Sequence, residues 1–150
     1  MTKVLRRVGV DWGSGAHQVC RIDGEEAPKQ RSFPHTSEGL NALVAFVTEG
    51  EITPEQMLIG IEVNHGAVVE ALLARGLPVC SINPKLLDRL RDRFSPAGAK
   101  DDRRDAFVLA SCPEGRLRAA WRRMPMRSEG SSQGTKRIFV CRPRLDFGGI

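Results

Sequence analysis

The sequence predicts an α/β domain built on a mixed β-sheet. Three observations support this fold class. The first part of the chain alternates short apolar runs with turn residues, as in an antiparallel meander. The next part alternates short apolar strands with apolar residues at helical spacing. Residues 57–63 are almost continuously apolar, which is typical of a strand buried on both faces. The predicted order is three antiparallel strands, then alternating strands and helices on both faces of the sheet.

The three strands of the meander are predicted at residues 4–11, 16–22 and 29–33. Asp11 is the last residue of the first strand, and a polar turn follows it. Asp23-Gly24 is a favoured hairpin dipeptide between the second and third strands. Pro28 and Pro34 bracket the third strand and keep it short, because proline cannot donate to a β-ladder.

Apolar residues at helical spacing predict the helices that follow. The first helix begins near Glu38, with Thr36 or Ser37 as its N-cap, and ends at Gly50. The remaining helices are predicted to start at residue 65, at residue 84 and at residue 101, and a short strand at residues 77–82 separates the first two of these. The last helix carries acids in its first turn, as the helix dipole favours.

Length and composition indicate one globular domain. The 150 residues are 41% hydrophobic and 27% charged, which suits a single core. No run of about 18 apolar residues is present, so no membrane span is predicted. The N-terminus lacks the long apolar segment of a secretion signal. The four cysteines are widely spaced without a CxxC pair, so we expect reduced thiols and a cytoplasmic location.

The net charge of +5 is unevenly distributed along the chain. Residues 1–111 contain 14 basic and 15 acidic side chains, whereas residues 112–150 contain 9 and 3. Residues 112–150 are rich in Arg, Pro, Gly and Ser, and they are predicted to be a basic tail that is disordered or translated out of frame. The candidate nucleic-acid-binding residues are instead a local cluster of Lys85, Arg89, Arg93, Lys100, Arg103 and Arg104. A solvated helix face, with nearby acids as partners, is the alternative for this cluster.

Four carboxylates form a candidate metal site. Asp11 ends a strand, where ligands of open α/β sheets bind, and Glu62 interrupts the most apolar strand. Asp102 and Asp105 are three apart, on one helix face, although Asp101 and Asp105 are also helical neighbours. Separately, these acids could be a turn residue, a strand end and a helix N-terminal charge cluster. Together, their hard oxygen ligands would select Mg²⁺ or Mn²⁺.

Three segments also resemble motifs of one known family. They are Gly9-Val-Asp11-Trp-Gly-Ser with His17 six residues after the acid, Ile61-Glu62 after an apolar strand, and Ser81-Ile-Asn-Pro84 followed by a basic helix and by Ala99-Lys-Asp-Asp102-Arg-Arg-Asp105-Ala106. Together they are similar to the DEDD insertion-sequence transposases, which include the Piv-type invertases and the bridge-RNA-guided recombinases. The family usually has Thr at the position of Asp101, which leaves Asp102 as the matching acid.

The resemblance covers about residues 6–111 and implies a RuvC-like, ribonuclease-H-like fold. It implies that Asp11, Glu62, Asp102 and Asp105 are catalytic and hold Mg²⁺ or Mn²⁺. The implied activity is metal-dependent phosphodiester chemistry on DNA during transposition or site-specific recombination, in the bacterial cytoplasm and at the nucleoid. A structured guide RNA and a homo-oligomer are further partners that relatives imply. Full-length relatives also carry a C-terminal domain with a nucleophilic serine, so we expect a truncated or frameshifted copy that is inactive alone.

Two other functions stay open. Val10-Asp11-Trp-Gly-Ser14 also resembles the phosphate loop of sugar kinases and actin-like ATPases, which need a second Gly-rich loop and a longer chain. The other is a non-catalytic fragment that binds nucleic acid. Mg²⁺-dependent strand cleavage that is lost in Asp11→Ala would indicate the transposase, whereas tight binding of structured RNA without cleavage would indicate the fragment.

Overall fold

The computed structural model describes residues 5–62, 65–82, 85, 87–88, 102–111 and 138–141. The strands are β1 (Arg6–Asp11), β2 (Ala16–Asp23), β3 (Lys29–Pro34), β4 (Met57–Ile61), β5 (Val79–Ile82) and β6 (Ile138–Cys141). They form one mixed sheet in the order β3-β2-β1-β4-β5-β6. The described helices are α1 (Ser37–Thr48), α2 (Ala67–Ala74) and α3 (Asp102–Ser111), with a 3₁₀ turn at Pro54–Gln56. The predicted α/β class and mixed sheet are confirmed, and the architecture is consistent with a ribonuclease-H-like fold.

Strand β1 lies at the junction of the antiparallel and parallel halves of the sheet. It pairs antiparallel with β2, from Arg6 opposite Asp23 to Asp11 opposite Gln18. On its other side it pairs parallel with β4, and β4 pairs parallel with β5. The hairpin from β2 to β3 turns at Gly24, whose φ of +55° favours glycine, as the Asp23-Gly24 dipeptide predicted.

One face of the sheet is covered by α1 and α2, and most of its buried side chains are aliphatic. Its buried cluster includes Val8, Val10, Ile59, Ile61, Leu43, Val47, Val69 and Leu72. Helix α1 begins where predicted, because the Thr36 hydroxyl accepts a hydrogen bond from the Gly39 N–H at 3.0 Å. Burial of this cluster stabilises the fold by removing apolar surface from water.

Two buried arginines from the sheet hold the C-terminal end of α1. Arg6 donates to the backbone carbonyls of Val47 and Glu49, both at 2.8 Å, and Arg21 donates to that of Phe46 at 2.7 Å. These bonds satisfy carbonyls that a helix end leaves without intrahelical partners. Asp23 pairs with both arginines, at 2.5 Å from Arg6 and 3.0 Å from Arg21. Burial alone would raise the pKa of Asp23, but the hydrogen bond from Arg6 and the surrounding positive charges lower it overall.

The opposite face of the sheet is covered by α3, which approaches it most closely at glycine. An added Cβ on Gly9 of β1 would lie 2.5 Å from the Ala110 nitrogen and 2.8 Å from the Leu109 Cβ, and it would overlap the Ala106 carbonyl. Glycine therefore lets the helix backbone rest directly on the strand. Cys20, Ile22, Ala106 and Ala110 form the small buried cluster beside this contact. Burial raises the pKa of the Cys20 thiol to about 11, against the opposing charge of Arg7.

The structure also contains a strand that the sequence did not predict. Residues of β6 pair in parallel with β5, from Val79 opposite Ile138 to Ile82 opposite Cys141. This segment is β-branched and aromatic, so it suits the open edge of β5. The rest of residues 112–150 lies outside the described residues, and a disordered or out-of-frame tail stays a prediction there. Lys85, Leu87 and Asp88 have helical backbone, in the segment where a helix was predicted.

None of the helices in the described ranges is long and apolar enough to cross a membrane.

Candidate active site

Asp11 and Glu62 lie at one edge of the sheet, at the carboxyl ends of neighbouring parallel strands. Asp11 is the last residue of β1, Glu62 directly follows β4, and both are half-buried. The β1–β4 register ends with Val10 opposite Ile61, and Asp11 and Glu62 are the residues that directly follow this last pair. The predicted proximity of these two positions follows from the parallel pairing.

Asp11 belongs to the face of the sheet that α3 covers, and Glu62 follows a strand whose Gly60 also faces α3. Successive side chains of a strand project to opposite faces of a sheet. Asp11 is two residues after Gly9, and Glu62 is two residues after Gly60. Both glycines lie against α3, because an added Cβ on Gly60 would be 3.2 Å from the Leu109 carbonyl oxygen. Strand alternation within β1 therefore places Asp11 on the α3 side, and Glu62 directly follows β4.

Helix α3 brings a third predicted acid under the same face. Asp105 is 2% exposed and precedes Ala106, the residue that meets Gly9. Asp102 is the first residue of α3, but its side chain lies outside the description. No three His, Cys, Asp or Glu side chains in the described ranges are grouped closely enough to hold a metal ion. Asp11 and Glu62 follow the last paired residues of β1 and β4, and the four-carboxylate site stays a prediction.

Two glutamines connect the meander to the first turn of α3. Gln18 on β2 donates from Nε2 to Oε1 of Gln30 on β3, at 3.0 Å. Gln30 donates from its own Nε2 to the backbone carbonyl of Arg103, at 2.9 Å. Gln18 is the cross-strand partner of Asp11. The connection therefore runs from the position beside Asp11 to the helix turn that carries Asp102.

The turn that follows Asp11 is held by a buried histidine. His17 is fully buried, and its Nδ1 accepts a hydrogen bond from the Gly13 N–H at 3.2 Å. Its Nε2 lies 2.8 Å from Nδ1 of His35, so the neutral tautomer that accepts at Nδ1 donates at Nε2. Burial, and then the charge of His35, lower the pKa of His17, which favours that neutral form. Trp12 remains 44% exposed beside Asp11, with its ring centroid 6.3 Å from that of His17.

Half of the predicted nucleic-acid-binding cluster can be located. Lys85 and Arg103 are exposed, and Arg104 is half-buried. Arg89, Arg93 and Lys100 lie outside the described residues. The cluster as a binding surface stays a prediction.

Sequence reasoning missed the two glutamines, the His17–His35 pair and the two buried arginines. Gln18 and Gln30 look like ordinary polar strand positions, because a contact across 73 residues with a helix carbonyl leaves no local pattern. Arg6 and Arg21 do leave one signal, since each lies on the same strand face as buried valines. A charged residue on a buried face needs partners, and that requirement could have identified them.

The chain belongs to a transposase family: its residues 8–126 match the transposases of the IS110 DEDD type. The match continues past residue 111, where the domain was predicted to end. The resemblance described from the three sequence motifs is therefore confirmed.

Two relatives illustrate the extent of the similarity. The chain is 49% identical over 106 residues to y4uE of Sinorhizobium fredii, a protein named as a transposase. It is 34% identical over 106 residues to a protein of Streptomyces coelicolor that is named as the mini-circle transposase for IS117. Each match covers 69% of this chain, but only 30% and 25% of the respective relatives. The chain therefore spans less than a third of the length of these curated relatives.

Proposed function

We propose that this chain provides the ribonuclease-H-like, RuvC-like carboxylate domain of a transposase that acts on DNA in transposition or site-specific recombination. The observation that carries the proposal is that Asp11 ends β1 and Glu62 directly follows β4, at the carboxyl ends of two adjacent parallel strands. Alternation along β1 places Asp11 on the face on which α3 packs. Membership of the transposase family supports the same reading.

The carboxylates suit a hard divalent cation. Aspartate and glutamate oxygens are preferred ligands of Mg²⁺ and Mn²⁺. In the proposed site Asp11, Glu62, Asp102 and Asp105 would hold the ion, with Asp11 and Glu62 on the side of the sheet. When bound, the ion supplies charge neutralisation and activation of a nucleophile in phosphodiester chemistry. The chain's own contribution is to fix the acids on a rigid sheet edge and under a closely packed helix.

DNA is the proposed partner of this edge, in the cytoplasm. Trp12 presents an exposed indole next to Asp11, and nucleic-acid bases stack on such rings with about 1–3 kcal/mol each. Lys85, Arg103 and Arg104, with Arg89, Arg93 and Lys100, are proposed to contact the phosphate backbone. A structured guide RNA and a homo-oligomer remain implications of the family resemblance.

A metal titration of the full chain tests the proposal. Mn²⁺ binding, followed by the loss of the free-ion signal in electron paramagnetic resonance, is compared among the wild type, Asp11→Asn and Glu62→Gln. Glu55→Gln is the control, because Glu55 is an exposed acid in the 3₁₀ turn. We expect both site variants to weaken binding at least about tenfold and the control to leave it unchanged. Equal binding in all four proteins would contradict a carboxylate site at this edge.

A second assay separates the transposase domain from the non-catalytic fragment. Single-stranded and duplex DNA, and a structured RNA, are incubated with the chain in Mg²⁺ and in EDTA. Mg²⁺-dependent cleavage or strand exchange that is lost in Asp11→Asn supports the catalytic reading. Binding that is unaffected by Mg²⁺ and by Asp11→Asn, with no cleavage, supports the fragment.

A further inference from the structure

We infer that Gln18 and Gln30 are positioning residues that set the first turn of α3 relative to Asp11. This inference rests on the proposed function, because it concerns the placement of the α3 acids against the strand acids. It adds two residues that no sequence motif identified. The geometry behind it is one continuous hydrogen-bonded chain across three elements.

The direction of that chain is fixed by chemistry. The backbone carbonyl of Arg103 can only accept, so Gln30 must turn its Nε2 toward it, at 2.9 Å. The Oε1 of Gln30 is then left to accept from Nε2 of Gln18, at 3.0 Å. Each side-chain amide has one orientation that satisfies its neighbour. The two hydrogen bonds therefore follow one another, from Gln18 to Gln30 and from Gln30 to Arg103. Losing the Gln30 link breaks the whole connection, whereas losing Gln18 removes only the support behind Gln30.

Both ends of the chain lie at positions that matter for the proposed site. Gln18 is directly opposite Asp11 in the β1–β2 register, where cross-strand side chains on one face are about 4.5–5.5 Å apart at Cβ. Arg103 follows Asp102 and precedes Asp105 by two residues in the first turn of α3.

The small-residue contact alone does not fix this turn. Gly9 meets Ala106, Leu109 and Ala110, which lie further along the helix. Close packing at those residues sets the depth of α3 on the sheet. The Gln30 amide adds the constraint at the N-terminal end, where the acids lie.

The test compares full-length Gln30→Met, Gln18→Met, the double variant and a matched control. Methionine keeps the length and approximate volume of glutamine but cannot make these hydrogen bonds. Ser32→Ala is the control, because Ser32 is an exposed residue two positions along the same strand face as Gln30. Two quantities are measured: the Mn²⁺ concentration at half-saturation, and amide hydrogen exchange along α3 without metal. Asp11→Asn is included as the reference for the proposed metal site.

The series arrangement predicts a specific ranking. Gln30→Met raises the half-saturation concentration about tenfold, the low end for residues that orient metal ligands. Gln18→Met has a smaller effect, and the double variant matches Gln30→Met, because the second break adds nothing once the chain is broken. Amide exchange increases in the first turn of α3 before it increases at Leu109 and Ala110.

The outcomes separate this inference from the proposed function. If Asp11→Asn abolishes Mn²⁺ binding while Gln30→Met behaves like Ser32→Ala, the metal site stands and the positioning role is overturned. Additive effects of the two methionines, with exchange raised evenly along α3, indicate general destabilisation and also overturn it. If Asp11→Asn leaves Mn²⁺ binding unchanged, the proposed function fails and this inference fails with it.

Discussion

The two faces of the sheet are packed in opposite ways. The face under α1 and α2 is filled by large aliphatic side chains that interdigitate, such as Leu43, Ile59 and Leu72. The face under α3 has glycine on two adjacent strands, and the helix backbone approaches the strand backbone directly. The first arrangement buries apolar area. The second places the backbone of α3 against the backbone of β1.

The face under α1 and α2 mainly stabilises the fold, whereas the face under α3 sets the position of that helix on the sheet. A thick aliphatic layer tolerates small shifts of a helix, because side chains can repack within it. A helix that rests on Gly9 has no such layer, so its position is fixed by backbone contact and by polar links such as Gln30 to Arg103. The proposed site lies on the face under α3. Substitutions on each face should therefore affect stability and metal binding differently.

Leu72→Ala should have the largest effect on stability. Leu72 is fully buried in the aliphatic cluster, and removing such a side chain costs about 2–5 kcal/mol through lost burial and a residual cavity. Urea unfolding measures the loss, with Leu5→Ala as the control, since Leu5 is 42% exposed. Where both proteins are folded, Mn²⁺ half-saturation should stay at the wild-type value. A large change in Mn²⁺ affinity would mean that the aliphatic face also positions the site.

Gly9→Ala should combine a stability loss with a site defect. Its new Cβ meets backbone atoms of Ala106 and Ala110, which cannot rotate away, so α3 must move outward. We expect a loss of about 3 kcal/mol, the upper part of the range for overpacking. Gly15→Ala is the control, because its Cβ would enter open space. Unlike Leu72→Ala, Gly9→Ala should also weaken Mn²⁺ binding among folded molecules. Wild-type affinity in this variant would contradict the idea that the contact of Gly9 with α3 positions the acids of that helix.

The aliphatic face was predictable from sequence to a greater extent than the α3 face. Apolar periodicity located α1, α2 and β4, and the Asp23-Gly24 dipeptide located the hairpin, because these signals are local. Gly9 and Gly60 gave no such signal, since their role appears only when a helix from residue 102 onward packs on them. The positions of Asp11 and Glu62 followed from strand ends. Gln30 did not, because its partner is distant in sequence.

Asp23→Asn should reduce stability in a pH-dependent way. Asp23 neutralises Arg6 and Arg21, which are 7% and 4% exposed, and hydrogen bonds to charged groups contribute about 1.5–3 kcal/mol. We expect the low end of that range, because a fifth of the Asp23 side chain remains exposed.

The lowered pKa of Asp23 sets the sign of the pH dependence. Its ionised form stabilises the fold at pH above the ordinary carboxyl value of about 3.9, and this contribution is lost as the pH falls through the lowered folded value. The stability difference between wild type and Asp23→Asn should therefore be constant from about pH 5 to 8 and shrink below about pH 4. Urea unfolding at several pH values measures it, with the exposed Glu26→Gln as control. A difference that persists at low pH would argue against the carboxylate as its source.

Gly60→Ala should have the smallest effect on stability. It tests whether α3 packs as closely on β4 as it does on β1. Its added Cβ would lie 3.0 Å from the tip of the Ile82 side chain and 3.2 Å from the Leu109 carbonyl oxygen, so a shift of a few tenths of an ångström relieves it. The overpacking cost of about 1 kcal/mol is partly offset by the lower entropy of an unfolded alanine, about 0.4–1 kcal/mol. The net change in unfolding free energy should stay below about 1 kcal/mol, with Mn²⁺ affinity near wild type. A stability loss as large as that of Gly9→Ala would mean that α3 packs equally closely on β1 and β4. A small loss would identify β1 as the strand that determines the position of the helix.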